Sequence, residues 1–152
     1  LGQLVLRPGT ILGAGTSNQI TALFERAVVL GLRGVEVPFV LVWDRDVAEV
    51  VARGVTERVT GTFNLAGDGV LTLADIAAIE GRRLVRVPPA LIAAALQVLD
   101  RLGVGPYGPE QVDFLRYRPV LSNDALKAAF PGLPTRSTRE AYEAYRRGRD
   151  DG

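Results

Sequence analysis

The sequence predicts an α/β fold, on three observations. Short β-branched runs alternate with segments of helical period, glycine-rich turns separate the two kinds, and no repeat or low-complexity stretch breaks the alternation. At 152 residues, 47% hydrophobic and 23% charged, the chain has the length of one domain and can bury a sizeable core.

The first strand is Leu4-Val5-Leu6, which runs into a glycine loop from Arg7 to Gly15. Ile20, Leu23, Phe24, Ala27 and Val28 follow helical spacing, with Gly31 and Gly34 closing the segment. Val35 to Trp43 reads as a strand in which Pro38 sits near the start or on an edge. Asp46 and Glu49 have the spacing of a capping box opening a helix with Val47, Val50 and Val51 inward. Gly61 to Ala66 is a short strand, Thr72 caps a helix carrying Leu73, Ile76, Ala77 and Ile79, and Leu84 to Val87 is another strand.

Pro88-Pro89 start the most apolar helix, Ala90 to Leu102, which is expected to be deeply buried or packed on a partner. Glu110 to Tyr117 reads as helical and Pro119 to Leu121 as extended. Ser122 caps a helix through Phe130, stopped by Pro131-Gly132, and Ser137 with Glu140 forms a last capping box ahead of Tyr142 and Tyr145.

Composition removes several chemistries. There is no cysteine and hence no disulfide or thiolate. There is no histidine, which takes away the Ser-His-Asp triad and the usual zinc ligands; no metal site is expected. Net charge is +1, and the arginines from Arg136 to Arg149 read as a solvated last helix, so no nucleic-acid partner is expected. The longest uncharged apolar run, Val87 to Leu99, falls short of the roughly 20 residues that cross a bilayer. With no leader pattern, the expectation is a cytoplasmic protein without a membrane partner.

The glycine loop admits two readings. Gly9, Gly13 and Gly15, between a strand and a helix, have glycine spacing that lets backbone approach a pyrophosphate, and Asp44 ends a later strand where an acid could hold a ribose hydroxyl. That would make the chain a small dinucleotide-binding domain. Against it, Arg7-Pro8 forces extended backbone where that fingerprint needs a tight turn, and the elements after Asp44 lack long buried parallel strands.

Taken together, LVLRPGTILGAG, FVLVWDRDVAEVV, GTFNLAGDGVLTLADIA and RPVLSNDALKAAFPGLPTRSTREAYEAY resemble the C-terminal portion of extended short-chain dehydrogenases/reductases, the NAD(P)-dependent epimerase/dehydratase family. Leu6 to Gly13 matches the family's LRP-x-x-x-x-G motif, Val42 to Ala48 its V-x-D-D-x-A element, and Phe63 to Gly67 its y-N-l-g strand. Asn123 to Tyr145 matches the tail of a short helix, a G-x-x-P turn and an s-x-x-E helix. Thr10 stands where many members carry Asn, Arg45 replaces one of the paired Asp, and Pro131-Gly132-Leu133 replaces the usual G-w.

The resemblance implies the C-terminal part of a Rossmann-like domain plus a small α/β substrate-capping domain. Residues 1–34 would supply a late strand, loop and helix of the former, and 35–152 the capping region. It implies NAD or NADP in an intact protein acting on a nucleotide-sugar or related hydroxyl/carbonyl substrate. Pro8, Gly9 and Ile11 match the loop against the nicotinamide, and Thr10 would face substrate. Arg116 and Arg118 flank Tyr117 where relatives place an arginine on the nucleotide diphosphate, a role suited to a bidentate guanidinium. A plain turn, loop hydrogen bonding and two surface arginines are the competing readings of these positions.

The family's catalysis needs Tyr-x-x-x-Lys, in which lysine lowers the tyrosine pKa. None of Tyr107, Tyr117, Tyr142 and Tyr145 has lysine four residues later, and Lys127 is the only lysine. No catalytic residue is therefore expected here: the chain reads as an inactive fragment whose missing N-terminal half carries the cofactor site, and which binds no cofactor alone. Exposed apolar surface where that half packs would favour a homodimer. A non-catalytic interaction module using the Ala90 to Leu102 helix stands as a third reading.

Overall fold

A computed structural model of the chain describes residues 2–17, 21, 28–91, 94 and 119–150. They fall into two compact units: Leu1–Thr21, Phe39–Leu71 and Val120–Gly152 form one, and Ala22–Pro38 with Thr72–Pro119 the other.

The first unit contains strands β1 (Leu4–Pro8), β2 (Thr10–Leu12), β4 (Leu41–Trp43) and β5 (Gly61–Leu65), numbered along the whole chain. Its helices are α1 (Asp44–Thr56), α3 (Asp124–Ala129) and α4 (Thr138–Asp150). β1 pairs parallel with β5, Leu4 opposite Gly61 through Pro8 opposite Leu65. β2 pairs parallel with β4, Thr10 opposite Leu41 through Leu12 opposite Trp43.

One extended run thus changes partner at Gly9. The Gly9 amide donates to the Leu65 carbonyl at 2.9 Å, and the next amide, Thr10, donates to the Val40 carbonyl at 3.0 Å. A Cβ on Gly9 would sit 2.7 Å from the Val40 oxygen, so the crossing needs a residue without a side chain.

Leu4, Leu6 and Phe63 pack on a core of Val42, Val50, Leu65, Leu126, Phe130 and Leu133. Phe63 meets Phe130 edge to face, centroids 5.8 Å apart. Alternation puts Val5 and Arg7 on the opposite side of β1, and both are exposed, as is Thr62 beside Val5 on β5.

α1 departs from the sequence expectation. It begins at Asp44, directly after β4, with Trp43 in the cap position and no side-chain cap. Asp46 is therefore not a cap but lies in the first turn, buried, and Asp46 with Glu49 forms no capping box. Val50 points inward as expected, whereas Val51 is exposed and Gly54 takes the inner position where Leu4 packs. α3 is likewise capped at Asn123 rather than Ser122, whose hydroxyl engages the Asp124 carboxylate at 2.7 Å. The Ser137–Glu140 capping box is formed as read: Glu140 accepts from the Ser137 amide and hydroxyl, and its own amide donates to the Ser137 Oγ at 3.3 Å.

The second unit pairs β3 (Val28–Leu32) parallel with β6 (Arg83–Val87), with α2 (Leu73–Glu80) beside them. Thr72 and Asp75 form a reciprocal capping box, and Gly81 ends α2 at φ 65°. Val28, read as the end of a helix, instead opens β3, and Gly31 lies inside the strand. A Cβ there would meet the Leu84 side chain at 3.2 Å, so the glycine serves close strand packing, not a helix stop. The expected strand from Val35 contracts to β4 and a Phe39–Leu71 bridge, because Pro38 removes a ladder donor. The helices expected over Ala90 to Leu102 and Glu110 to Tyr117 lie almost wholly outside the described residues; 89–91 and 94 are helical. Among the described residues no helix is long and apolar enough to cross a membrane.

Candidate functional site

In parallel sheets, ligands bind beyond the carboxyl ends of the strands, and in the first unit that edge is Pro8 to Thr16. Pro8 and Ile11 are exposed, Gly9 and Thr10 half-buried, and Leu12 fully buried. Strand alternation thus turns Leu12 into the core and Ile11 outward, leaving an apolar side chain 37% exposed beside two backbone-lined positions. The Thr10 hydroxyl has no hydrogen-bond partner among the described residues, while its amide is held by the Val40 carbonyl at the entrance to β4. Four sequence-predicted positions, Pro8, Gly9, Thr10 and Ile11, therefore form one continuous edge. Arg116 and Arg118 lie outside the described residues.

Beyond this edge the chain turns at Gly13–Thr16. The Gly13 amide donates to the Thr16 hydroxyl at 2.7 Å, and the Thr16 amide donates back to the Gly13 carbonyl at 3.1 Å. The Asp44 carboxylate lies against the Gly13 Cα, where a Cβ would collide with it. That amide is consumed internally and a negative charge sits beside it. Both features oppose a pyrophosphate cradle at this glycine, which depends on free amides and positive potential.

A polar cluster surrounds the end of β5. Asn64 Nδ2 donates to the Ser122 carbonyl at 3.0 Å, and Asn123 Nδ2 donates to both the Ala66 carbonyl and the Asp68 carboxylate at 2.8 Å. Lys127 closes on Asp68 at 2.6 Å. The Lys127 hydrogen bond, then that from Asn123, holds the Asp68 carboxyl below its ordinary value. The only lysine of the chain is thus an ion-pair partner between α3 and the β5 loop.

Sequence reasoning missed what the segment after α3 does. Asp46 Oδ1 accepts from the Thr135 hydroxyl at 2.6 Å and amide at 3.1 Å, while its Oδ2 is buried without a partner among the described residues. The Arg136 guanidinium lies 4.7 Å from the centroid of the Trp43 ring, which is buried. Thr138 Oγ1 accepts from the Leu41 amide at 3.3 Å and donates to the Gly67 carbonyl at 3.2 Å. These partners are tens of residues apart, and no local motif signals such a pairing. Among the described residues no group of three or more acidic side chains could hold a metal ion.

No family model matches the chain. An uncharacterized protein of Mycobacterium tuberculosis is 24% identical over 149 residues, covering 95% of this chain and 39% of that protein. A functionally unknown conserved protein from Silicibacter pomeroyi DSS superimposes with a TM-score of 0.61 at 17% identity, covering 97% of this chain and 48% of its own. The UDP-glucose 4-epimerase of Thermus thermophilus, solved in complex with NAD, gives 0.56 at 18% identity, covering 96% of this chain and 47% of its own. At this identity the likeness is one of fold. The chain shares the α/β, Rossmann-like architecture of the two solved structures, spanning about half their length, and spans 39% of the curated relative.

Proposed function

We propose that the chain is the C-terminal, substrate-binding part of an NAD(P)-dependent epimerase/dehydratase-like oxidoreductase. Its substrate would be a nucleotide-sugar or a related hydroxyl/carbonyl compound. The observation that carries this reading is the β1–β5 pair. It is a parallel pair with Val5, Arg7 and Thr62 exposed on one face, and parallel strands are otherwise found covered on both faces. Likeness to proteins of about twice the length supports a larger protein around this chain, and the occupant we assign is a preceding half that would complete the sheet and cover Val5.

In that assembly Pro8, Gly9 and Ile11 form the edge against the nicotinamide, offering backbone and two apolar side chains and adding no charge of their own. Thr10 presents its unengaged hydroxyl to substrate, and Arg116 and Arg118 grip the diphosphate. Bound NAD or NADP would supply hydride transfer. The chain's own residues orient substrate and exclude water, and the tyrosine–lysine pair of the catalytic step belongs to the preceding half. The Asp44 carboxylate beside Gly13 argues against the alternative of an independent dinucleotide-binding domain.

Calorimetric titration of the isolated chain with NAD and NADP tests this. The expected result is no saturable binding, with binding appearing once a preceding half is supplied. One-to-one micromolar binding by the isolated chain would overturn the proposal.

A further inference from the structure

Gly148, far along α4, has a close neighbour in the glycine turn. A Cβ built on it would lie 2.8 Å from the Ala14 Cβ, closer than real Cβ atoms approach, and 3.0 Å from the Ala14 Cα, a tight contact that gives only by a few tenths of an ångström. Something must shift if residue 148 gains a methyl group, and the two sides differ in how firmly they are held.

α4 is anchored near its start. The Thr138 amide donates to the Asp68 carbonyl at 2.8 Å, and the Thr138 hydroxyl bridges Leu41 and Gly67. A Cβ on Gly67 would lie 2.7 Å from the Thr138 amide nitrogen, so backbone meets backbone at that end. Further along, Ala141, Tyr142 and Tyr145 are 0%, 0% and 1% exposed, which locks the helix against its unit. The turn, by contrast, is closed by the two hydrogen bonds between Gly13 and Thr16. Ala14 and Gly15 are exposed, and nothing lies within 4 Å of where a Gly15 Cβ would be. The turn is the side that yields.

We infer that Gly148 is a positioning residue: its missing side chain lets α4 act as the backstop of the Gly13–Thr16 turn and so sets the course of the chain leaving Thr10 and Ile11. The inference rests on the reading of Pro8–Ile11 as the ligand-facing edge, and it adds that the last helix governs that edge from outside it. Gly148 has no role in touching ligand.

The sign of one substitution separates this from an ordinary helix effect. Alanine is a better helix former than glycine, so Gly148→Ala raises the melting temperature if residue 148 only contributes propensity. With the contact in place the gain is cancelled or reversed. The experiment compares the wild-type chain, Gly148→Ala, Ala14→Gly and the double variant by thermal unfolding and by amide shifts in proton–nitrogen spectra. The expected result is that Gly148→Ala gives no rise in melting temperature and moves the amide signals of residues 13–16 and of Ile11. In the Ala14→Gly background, where the 2.8 Å methyl contact is gone and only the tight 3.0 Å approach to the Cα remains, the same substitution changes the melting temperature more favourably and moves the Ile11 signal less. An equal rise in both backgrounds overturns the inference, and so do shifts that stop at residue 13. Neither readout uses a nucleotide, so this test can fail while the titration with NAD and NADP succeeds, or the reverse.

Discussion

Asp46 and Thr135, 89 positions apart, are joined through a single carboxylate oxygen: Oδ1 of Asp46 takes both the hydroxyl and the amide of Thr135. The pair ties the first turn of α1 to the turn that precedes α4. A buried hydrogen bond that loses one partner leaves the other unsatisfied, which costs more than the bond itself is worth. Thr135→Val, which removes the hydroxyl and keeps the shape, is expected to cost about 1–2 kcal/mol. Asp46→Ala is expected to cost more, about 2–3 kcal/mol, since it also strands the Thr135 amide. Denaturant unfolding of both variants checks this, and equal costs would mean that the amide bond contributes nothing.

Gly9 and Gly15 look alike in the sequence and are expected to respond oppositely. At Gly9 an added Cβ meets the Val40 carbonyl at 2.7 Å, where both groups are backbone and neither can rotate away. Gly9→Ala should destabilise by about 1–3 kcal/mol, the range of an overpacked core site. At Gly15 there is open space, and alanine should be neutral or stabilising by up to about 1 kcal/mol through the unfolded chain. Thermal unfolding of the two variants side by side decides it, and a Gly9→Ala protein as stable as wild type would remove the case for a forced strand crossing.

How much was legible in the sequence follows the range of each interaction. Thr72 and the Ser137–Glu140 pair were readable because a cap and its partner lie within one turn of helix. Asp46 and Glu49 carry the same spacing and misled, because the Asp46 carboxylate is engaged from Thr135 and the helix starts at Asp44, three residues ahead of the start an Asp46 cap implies. Val28 fitted an apolar helical stripe, yet it pairs with Arg83, on a strand that periodicity around residue 28 does not contain. The candidate edge from Pro8 to Ile11 was visible as a motif because it is contiguous. The contacts of Asp44 with Gly13, Arg136 with Trp43 and Gly148 with Ala14 were not, since the fold alone brings those pairs together.

The Asp68–Lys127 pair predicts a pH dependence. Asp68 titrates below its ordinary 3.8 in the folded chain, chiefly through the Lys127 hydrogen bond and then that of Asn123. A carboxyl whose folded pKa is depressed binds its proton more readily when unfolded. Its stabilisation is therefore complete above 3.8 and is lost as pH falls through the lower folded value. Both side chains are about half exposed, 42% for Lys127 and 56% for Asp68, so screening limits the contribution to about 1 kcal/mol or less. Lys127→Met should raise the Asp68 pKa toward the ordinary value and flatten the stability profile below about pH 4, as a carboxyl-carbon titration by NMR would register. An unchanged Asp68 titration in the variant would show that Asn123 alone sets the shift.

Arg136 offers an optical test, because Trp43 is the only tryptophan in the chain and the guanidinium covers its ring at 4.7 Å. Trp43 is 6% exposed, so its emission should be that of a buried indole. Arg136→Ala removes the cation and its aliphatic stem together. A cation on an indole face is worth about 0.5–2 kcal/mol, more as the pair is desolvated, and the stem's cover of the ring adds to the loss. The variant should therefore emit further to the red and be quenched more readily by acrylamide, with stability lowered by about 1 kcal/mol. Arg136→Lys keeps charge and much of the stem but loses the planar stack, and should fall between the two. If Arg136→Lys matches wild type in both spectrum and stability, the stack adds nothing to cover and charge. If Arg136→Ala leaves the emission unmoved, the ring is shielded by the rest of its unit and the arginine is only a neighbour.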